Sequence, residues 1–272
     1  MSSHTNNAAP SSFPKITVIT VVYNGISSIE HAIKSVISQS YSNVEYVVVD
    51  GGSTDGTIKL IEKYSQKGID LWASGKDKGI YDAMNKGVKL AGGDVVYFLN
   101  ADDKFFDNKV LAKVAKVFAE KKVDMVFGDV LFDYPPENQE VRVSRDFSLN
   151  ELKKGTMPPH QGTFVKRSWL IENPFEITYK SSSDFDWFCR VAKKGITSEK
   201  LNEIIAIFTS GGVSSGTVSY KETELVVKKY FGISSYVALV LKHRVFSIVK
   251  WILIKTSLVK LWHKFNSKAK IV

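Results

Sequence analysis

A chain of 272 residues, 44% hydrophobic and 24% charged, can bury one large core or two small ones, and it lacks the bias of a disordered or fibrous protein. Its net charge of +9 suggests a polyanionic partner until its position is found. From Lys221 onward eleven Lys and Arg face only Glu222 and Glu224, leaving the first 220 residues neutral, so a phosphate-tracking groove in the body loses its support and nucleic acid is not an expected partner. The single cysteine, Cys189, excludes an internal disulfide and suits a reducing compartment.

Residues 1–14 carry neither the basic nor the apolar region of a secretory leader and read as a flexible tail. A first strand, ITVITVVYN (16–24), ends in Tyr23-Asn24-Gly25 and precedes a helical pattern over 27–39. A second, VEYVVVD (44–50), runs into DGGSTDGT and a helix at 54–66, with Ser53 or Thr54 as its expected cap. A third, DLWAS (70–74), leads through SGKDKG to a helix at 80–91. A fourth, DVVYFLN (94–100), stops on NADD before a helix at 108–120, and DMVFGDV (124–130) is a fifth. Near-continuous apolar strands alternating with helices predict an α/β fold with a mostly parallel, Rossmann-like central sheet flanked by helices.

In such sheets ligands bind beyond the carboxyl ends of the strands. Here four strand ends deliver Tyr23, Asp50, Asp77 and the adjacent pair Asp102-Asp103 to one edge. Asp50, Asp55 and Asp107 also have the positions of turn or cap residues. Two like charges at the end of a buried strand are opposed by repulsion and desolvation unless a cation or ligand compensates them. Neither G-x-x-x-x-G-K-[ST] nor G-x-G-x-x-G occurs, so a P-loop enzyme and an ordinary dinucleotide enzyme are poorly supported. An acidic edge instead suits an oxygen-ligated Mg2+ or Mn2+ bridging to a diphosphate.

Together, TVVYNG, VDGGSTDGT, DKGIYDAMNKGVKLAGGDVVYFLNADD and SSSDFDWFCRVAKKG closely resemble glycosyltransferase family 2, inverting nucleotide-sugar enzymes of the GT-A fold, over roughly residues 15–215. Within it they look like the bacterial members that build exopolysaccharides and lipid-linked glycans. The resemblance implies a metal-dependent hexosyltransferase moving a sugar from a nucleoside diphosphate, with uridine expected, to a glycan or lipid-linked acceptor. By the same resemblance Tyr23 lies against the base, Asp50 and Asp77 bind base or ribose, Asp102 meets the ribose side, Asp103 holds the metal and Asp184 is the catalytic base. His160 and Gln161 fall near the acceptor side. A binding-only protein on the same fold is the alternative, and retention of both Asp103 and Asp184 argues against it; a nucleotidyltransferase would carry a Gly-rich basic loop in place of VVYNGISS.

Asp186 can equally cap its helix or pair with Arg190 four residues on. The segment FTSGGVSSG (208–216) reads either as a flexible strip able to close over the diphosphate or as a disordered or plain linker. The chain departs from the family pattern at Gly51, where a second Asp is common, at Asn100, where many have an Asp, and at Met84, where Arg is frequent before Asn85.

The expected divisions are the tail, a catalytic domain at 15–225, and a C-terminal helical region at 226–272. That region has no uncharged run longer than the twelve residues from Tyr230 to Leu241, short of a spanning helix. A helical wheel sets Lys242, Lys250, Lys260 and Lys264 opposite Val245, Ile248, Trp251, Ile252, Val259 and Trp262. The pattern predicts a basic amphipathic helix that either lies on an anionic membrane surface or packs on the protein's own core or a dimer partner; the first places the protein in the cytoplasm, peripheral on the inner face of the cell membrane.

Overall fold

The computed structural model describes residues 13–134, 138–209 and 217–255. A single mixed sheet runs through the chain. Strands β1 (Ile16–Val22), β2 (Val44–Asp50), β3 (Leu71–Ser74) and β4 (Val95–Phe98) alternate with helices α1 (Ile29–Ile37), α2 (Thr57–Ser65) and α3 (Ile80–Leu90). These four strands pair in parallel, Ile16 opposite both Val44 and Val95, and Val47 opposite Leu71.

Beyond β4 the direction changes. The remaining elements are β5 (Lys104–Phe105), α4 (Val110–Glu120), β6 (Met125–Tyr134), β7 (Asn138–Arg142), α5 (Leu149–Lys153), β8 (Thr163–Lys166), α6 (Arg167–Glu172), α7 (Ser183–Lys193), β9 (Ser198–Thr209) and α8 (Thr217–Lys255). Strand β8 inserts antiparallel between β4 and β6, and β9 pairs parallel to β6 and antiparallel to β5. The parallel half is therefore the one the sequence predicts. The second half is mixed, because β8 returns from beyond β6 to lie beside β4.

Side chains alternate across β1 and β2, and both faces are buried. Ile19, Val47 and Val49 pack with α3 and α7, whereas Val18, Tyr46 and Val48 pack with α1, α2 and α4. Strand β3 is exposed along its length, as an edge strand. The expected cap on α2 is not made: its N-cap is Gly56, and the Ser53 hydroxyl instead accepts from Asn24 N at 2.7 Å. Asp55 and Asp107 do serve turns, Asp55 accepting from Ile26 N and Thr57 N and Asp107 from Lys109 N.

Helix α8 begins well before residue 226 and is part of the body. Val226 and Val227 are fully buried and Leu239 is 2% exposed, in the same core as Phe185 and Phe188 of α7; Leu239 alone contributes roughly 1.5–3 kcal/mol by burial. By length and composition residues 218–249 are long and apolar enough to cross a membrane, but the helix reverses at Gly232, where φ is 83° and ψ −179°. Across the bend the Tyr220 and His243 rings lie 4.6 Å apart and His243 Nδ1 is 2.7 Å from Glu224 Oε1. Two antiparallel arms result, and the second runs on past His243 with Arg244, Val245, Phe246, Ile248 and Val249 all exposed. Of the predicted amphipathic face, Val259, Lys260, Trp262 and Lys264 lie outside the described residues.

Candidate active site

The carboxyl ends of β1 to β4 meet as the sequence predicts. Asp50 is fully buried; its Oδ2 accepts from Gly52 N, Ser53 N and Ser74 Oγ at 2.9, 3.0 and 2.7 Å, and its Oδ1 is buried without a protein donor. The donors outweigh the desolvation, so its carboxyl sits below the usual range. Tyr23, 66% exposed, stands beside it with its ring in solvent. Asp77 accepts from Gly79 N at 2.9 Å, and a Cβ on Gly51 would lie 2.6 Å from Asp77 Oδ2 and 3.5 Å from Tyr23 Cβ. Tyr23, Asp50 and Asp77 thus surround Gly51, and the missing side chain there is what lets Asp77 approach.

The acid pair occupies the turn between β4 and β5. Asp103 is 1% exposed; Asn100 Nδ2 donates to its Oδ2 at 3.0 Å, and Thr209 N, at the end of β9, to its Oδ1 at 3.3 Å. Burial, with Asp102 alongside, pushes the Asp103 carboxyl up to about 8. Asp102, more open, is raised chiefly by desolvation. Asn100 Oδ1 is buried with no donor. Two carboxylates short of a counter-charge and an unpartnered amide oxygen form a hard-oxygen donor set that fits Mg2+ or Mn2+. Among the described residues no group of three or more His, Cys, Asp or Glu could hold a metal by itself. Residues 210–216, most of the predicted closing strip, lie outside the described residues.

Asp184 lies in the first turn of α7. Its Oδ1 accepts from Phe185 N at 2.9 Å and from the Tyr81 hydroxyl at 3.1 Å. Desolvation raises its pKa, opposed by His160, the Phe185 N–H and Tyr81. His160 stacks on Phe98 at 5.5 Å, its Nε2 is buried without a partner, and burial lowers its pKa. Gln161 is half-exposed, and its carbonyl accepts from Tyr97. The Ser183 hydroxyl and Trp187 indole N–H beside Asp184 are also buried without protein partners. Asp186 is fully buried and does pair with Arg190, at 2.9 Å, and further with Lys229 at 2.9 Å and Tyr230 at 3.1 Å.

Sequence reasoning missed the links between these groups. Tyr81 sits four residues after Asp77, so one short segment carries both a strand-edge carboxylate and the hydroxyl on Asp184. Asn85 exchanges two hydrogen bonds with the Phe175 backbone, at 2.8 and 2.9 Å, tying α3 to the segment before α7. The signal available was the spacing: Asp77, Tyr81 and Asn85 recur at helical intervals.

A family model described as Glycosyl transferase family 2 matches residues 17–189. A PGL/p-HBAD biosynthesis glycosyltransferase of Mycobacterium bovis is 28% identical over 214 residues, 77% of this chain and 82% of that protein. Glycosyltransferase AglE of Haloferax volcanii is 27% identical over 72% of this chain and 67% of its own length. Among solved structures, S. aureus TarS 1-349 in complex with UDP-GlcNAc superposes with a TM-score of 0.64 at 22% identity, covering 78% of this chain and 64% of that one. The mannosyltransferase PcManGT of Pyrobaculum calidifontis, in complex with GDP-Man and Mn2+, gives 0.58 at 20% identity over 87% of this chain and 67% of its own. This chain spans less than two thirds of the TarS chains it matches.

Proposed function

The chain belongs to glycosyltransferase family 2 and is a glycosyltransferase, and from that premise we propose that it transfers a sugar, with inversion, from a UDP-sugar to a lipid-linked acceptor at a membrane surface. The observation that carries this reading is the segment from Asp77 to Tyr81, which couples the strand-end carboxylates to Asp184 through the 3.1 Å Tyr81 bond. Tyr23 stacks on the base, Asp50 and Asp77 take base and ribose, and Asp102 faces the ribose side. An acceptor oxygen such as Asp50 Oδ1, fixed by its partner oxygen's three donors, suits an imide N–H like that of uracil. The UDP-GlcNAc of TarS supports uridine, and the GDP-Man of PcManGT makes GDP-sugars the control.

Asp103, with Asp102, would hold the divalent cation, and the Mn2+ in PcManGT supports its use. When bound, the cation neutralises charge on the departing diphosphate. Asp184 takes the proton from the acceptor hydroxyl as that oxygen attacks the anomeric carbon, while Tyr81 fixes the carboxylate. His160, whose charged form is disfavoured by burial, borders the acceptor side with Gln161.

The test is release of UDP or GDP from UDP-GlcNAc, UDP-glucose and GDP-mannose with Mn2+ and a membrane-lipid extract. No release from any UDP-sugar would overturn the donor assignment. Gly51→Ala should raise the donor KM roughly tenfold, about 1.4 kcal/mol, with kcat little changed, because the added methyl displaces only Asp77; an unaltered KM removes Asp77 from the donor site.

Membrane attachment is assigned to the second arm of α8, which leaves the body at His243, against Tyr220 and Glu224. Its exposed Val245, Phe246, Ile248 and Val249, interleaved with Arg244, suit insertion among anionic headgroups. The protein is then cytoplasmic and peripheral on the inner membrane face. Removing residues after 243 should abolish co-sedimentation with phosphatidylglycerol vesicles yet leave the fold intact, since Leu239 is retained; unchanged sedimentation refutes the anchor.

A further inference from the structure

Helix α7 starts without a cap of its own. Ser182, at its N-cap, makes no side-chain bond to the helix, because its hydroxyl donates to the Ser219 carbonyl of α8 at 3.2 Å and lies 3.2 Å from the Thr223 hydroxyl. A carboxylate of α8 instead holds the backbone that leads into α7. Glu222 accepts from three successive backbone N–H groups, those of Lys180, Ser181 and Ser182, at 2.9, 2.9 and 3.1 Å. Bonds from N–H to a carboxylate are charge-assisted and stronger than neutral ones. The backbone they fix ends two residues before Asp184.

The same helix grips α7 on the far side of Asp184. Asp186, fully buried, meets Lys229 and Tyr230 of α8 at 2.9 and 3.1 Å. Asp184 is therefore held between two contacts supplied by α8, while the nucleotide-edge residues Tyr23, Asp50, Asp77 and Asp102 belong to elements that Glu222 does not touch.

We infer that Glu222 is a positioning residue for the sugar transfer: by fixing the backbone of residues 180–182 it sets the entry of α7 and so the place of the Asp184 carboxylate against Tyr81. The inference rests on the reading of Asp184 as the base. Displacing a reacting group by about 1 Å can cost on the order of 100-fold in rate. Without Glu222 three amides lose their acceptor and the first turn of α7 frays, so the loss falls on turnover and spares donor affinity.

The experiment uses the full chain in the nucleoside diphosphate release assay, with the active sugar nucleotide of the panel, Mn2+ and membrane-lipid extract. Glu222→Ala is expected to lower kcat by roughly 10- to 100-fold with donor KM within about twofold and faster amide exchange at 180–183. Glu222→Gln, which keeps the shape and one acceptor oxygen, should fall between it and the unaltered protein. An unchanged kcat in a folded Glu222→Ala variant overturns the inference, and so does a parallel loss of kcat and donor binding, which marks a general structural role. Should Glu222→Ala not fold, Glu222→Gln decides: unaltered kcat and amide exchange overturn the inference. Asp184→Asn separates the two levels. If that variant keeps the parent kcat, the base reading fails; if it is inactive while Glu222→Ala keeps the parent kcat, the positioning role alone fails.

Discussion

Asp184→Asn is expected to reduce turnover by about 100- to 10,000-fold, the range that a general base contributes, while donor binding persists. The replacement is isosteric and can keep the bonds from Tyr81 and Phe185 N to its Oδ1, so the site's geometry is retained and only basicity is lost. Burial raises the Asp184 pKa, which makes the carboxylate a stronger base than an exposed one. The active form is deprotonated, so the rate should climb with pH through a limb lying above the ordinary carboxylate range. Calorimetric titration of the donor and steady-state kinetics check both halves of the prediction. A variant within a few-fold of the parent rate would assign the base elsewhere.

Asp103→Asn should have opposite effects on stability and on activity. With chelator present, Asp103 titrates near 8 in the folded protein but near 3.9 unfolded. The folded state then holds the extra proton, and the linkage gives stability that is full below about pH 4 and lost as pH rises through 8. Asn carries no charge to bury, so the variant should be more stable than its parent by on the order of 2 to 4 kcal/mol at pH 8 in chelator, with the difference vanishing near pH 4. Metal-supported turnover should fall at least 100-fold, because the proposed cation ligand is gone. The same protonation makes cation binding by the parent weaken below pH 8, since the metal must displace a proton. Thermal melts across pH, with and without Mn2+, test the pair of claims: equal melting of parent and variant at pH 8 in chelator would show that Asp103 carries no such strain, and turnover that survives chelation would remove the metal from the reaction.

Local patterns carried the parallel half of the fold into view. Strand β2 has the bounds its apolar run predicts, and α3 and α4 begin and end within two residues of the expected positions. The strand-end carboxylates were legible for the same reason, since a parallel sheet brings its carboxyl ends to one edge. What escaped depends on partners far along the chain. Tyr81 meets Asp184 across 103 positions and Glu222 meets Ser181 across 41, and no periodicity reports such a pairing. The insertion of β8 beside β4 is likewise a choice between tertiary arrangements that a four-residue run such as TFVK cannot signal. The basic C-terminal stretch did hold one clue. Its only two acidic residues, Glu222 and Glu224, both have specific partners, one binding the α7 entry and the other His243.

The reversal at Gly232 sets a length. A straight 39-residue helix would extend roughly 58 Å at 1.5 Å per residue and could carry the catalytic body at any tilt on a long stalk. Folded back, with His243 against Tyr220, it brings the start of the exposed second arm beside the stretch of helix that carries Glu222. Under the proposed membrane attachment the body would be moored close to the bilayer, and a lipid-linked acceptor would arrive by lateral diffusion in the leaflet. On the proposed reading, the bend rather than the helix's length would set how far the site stands from the bilayer.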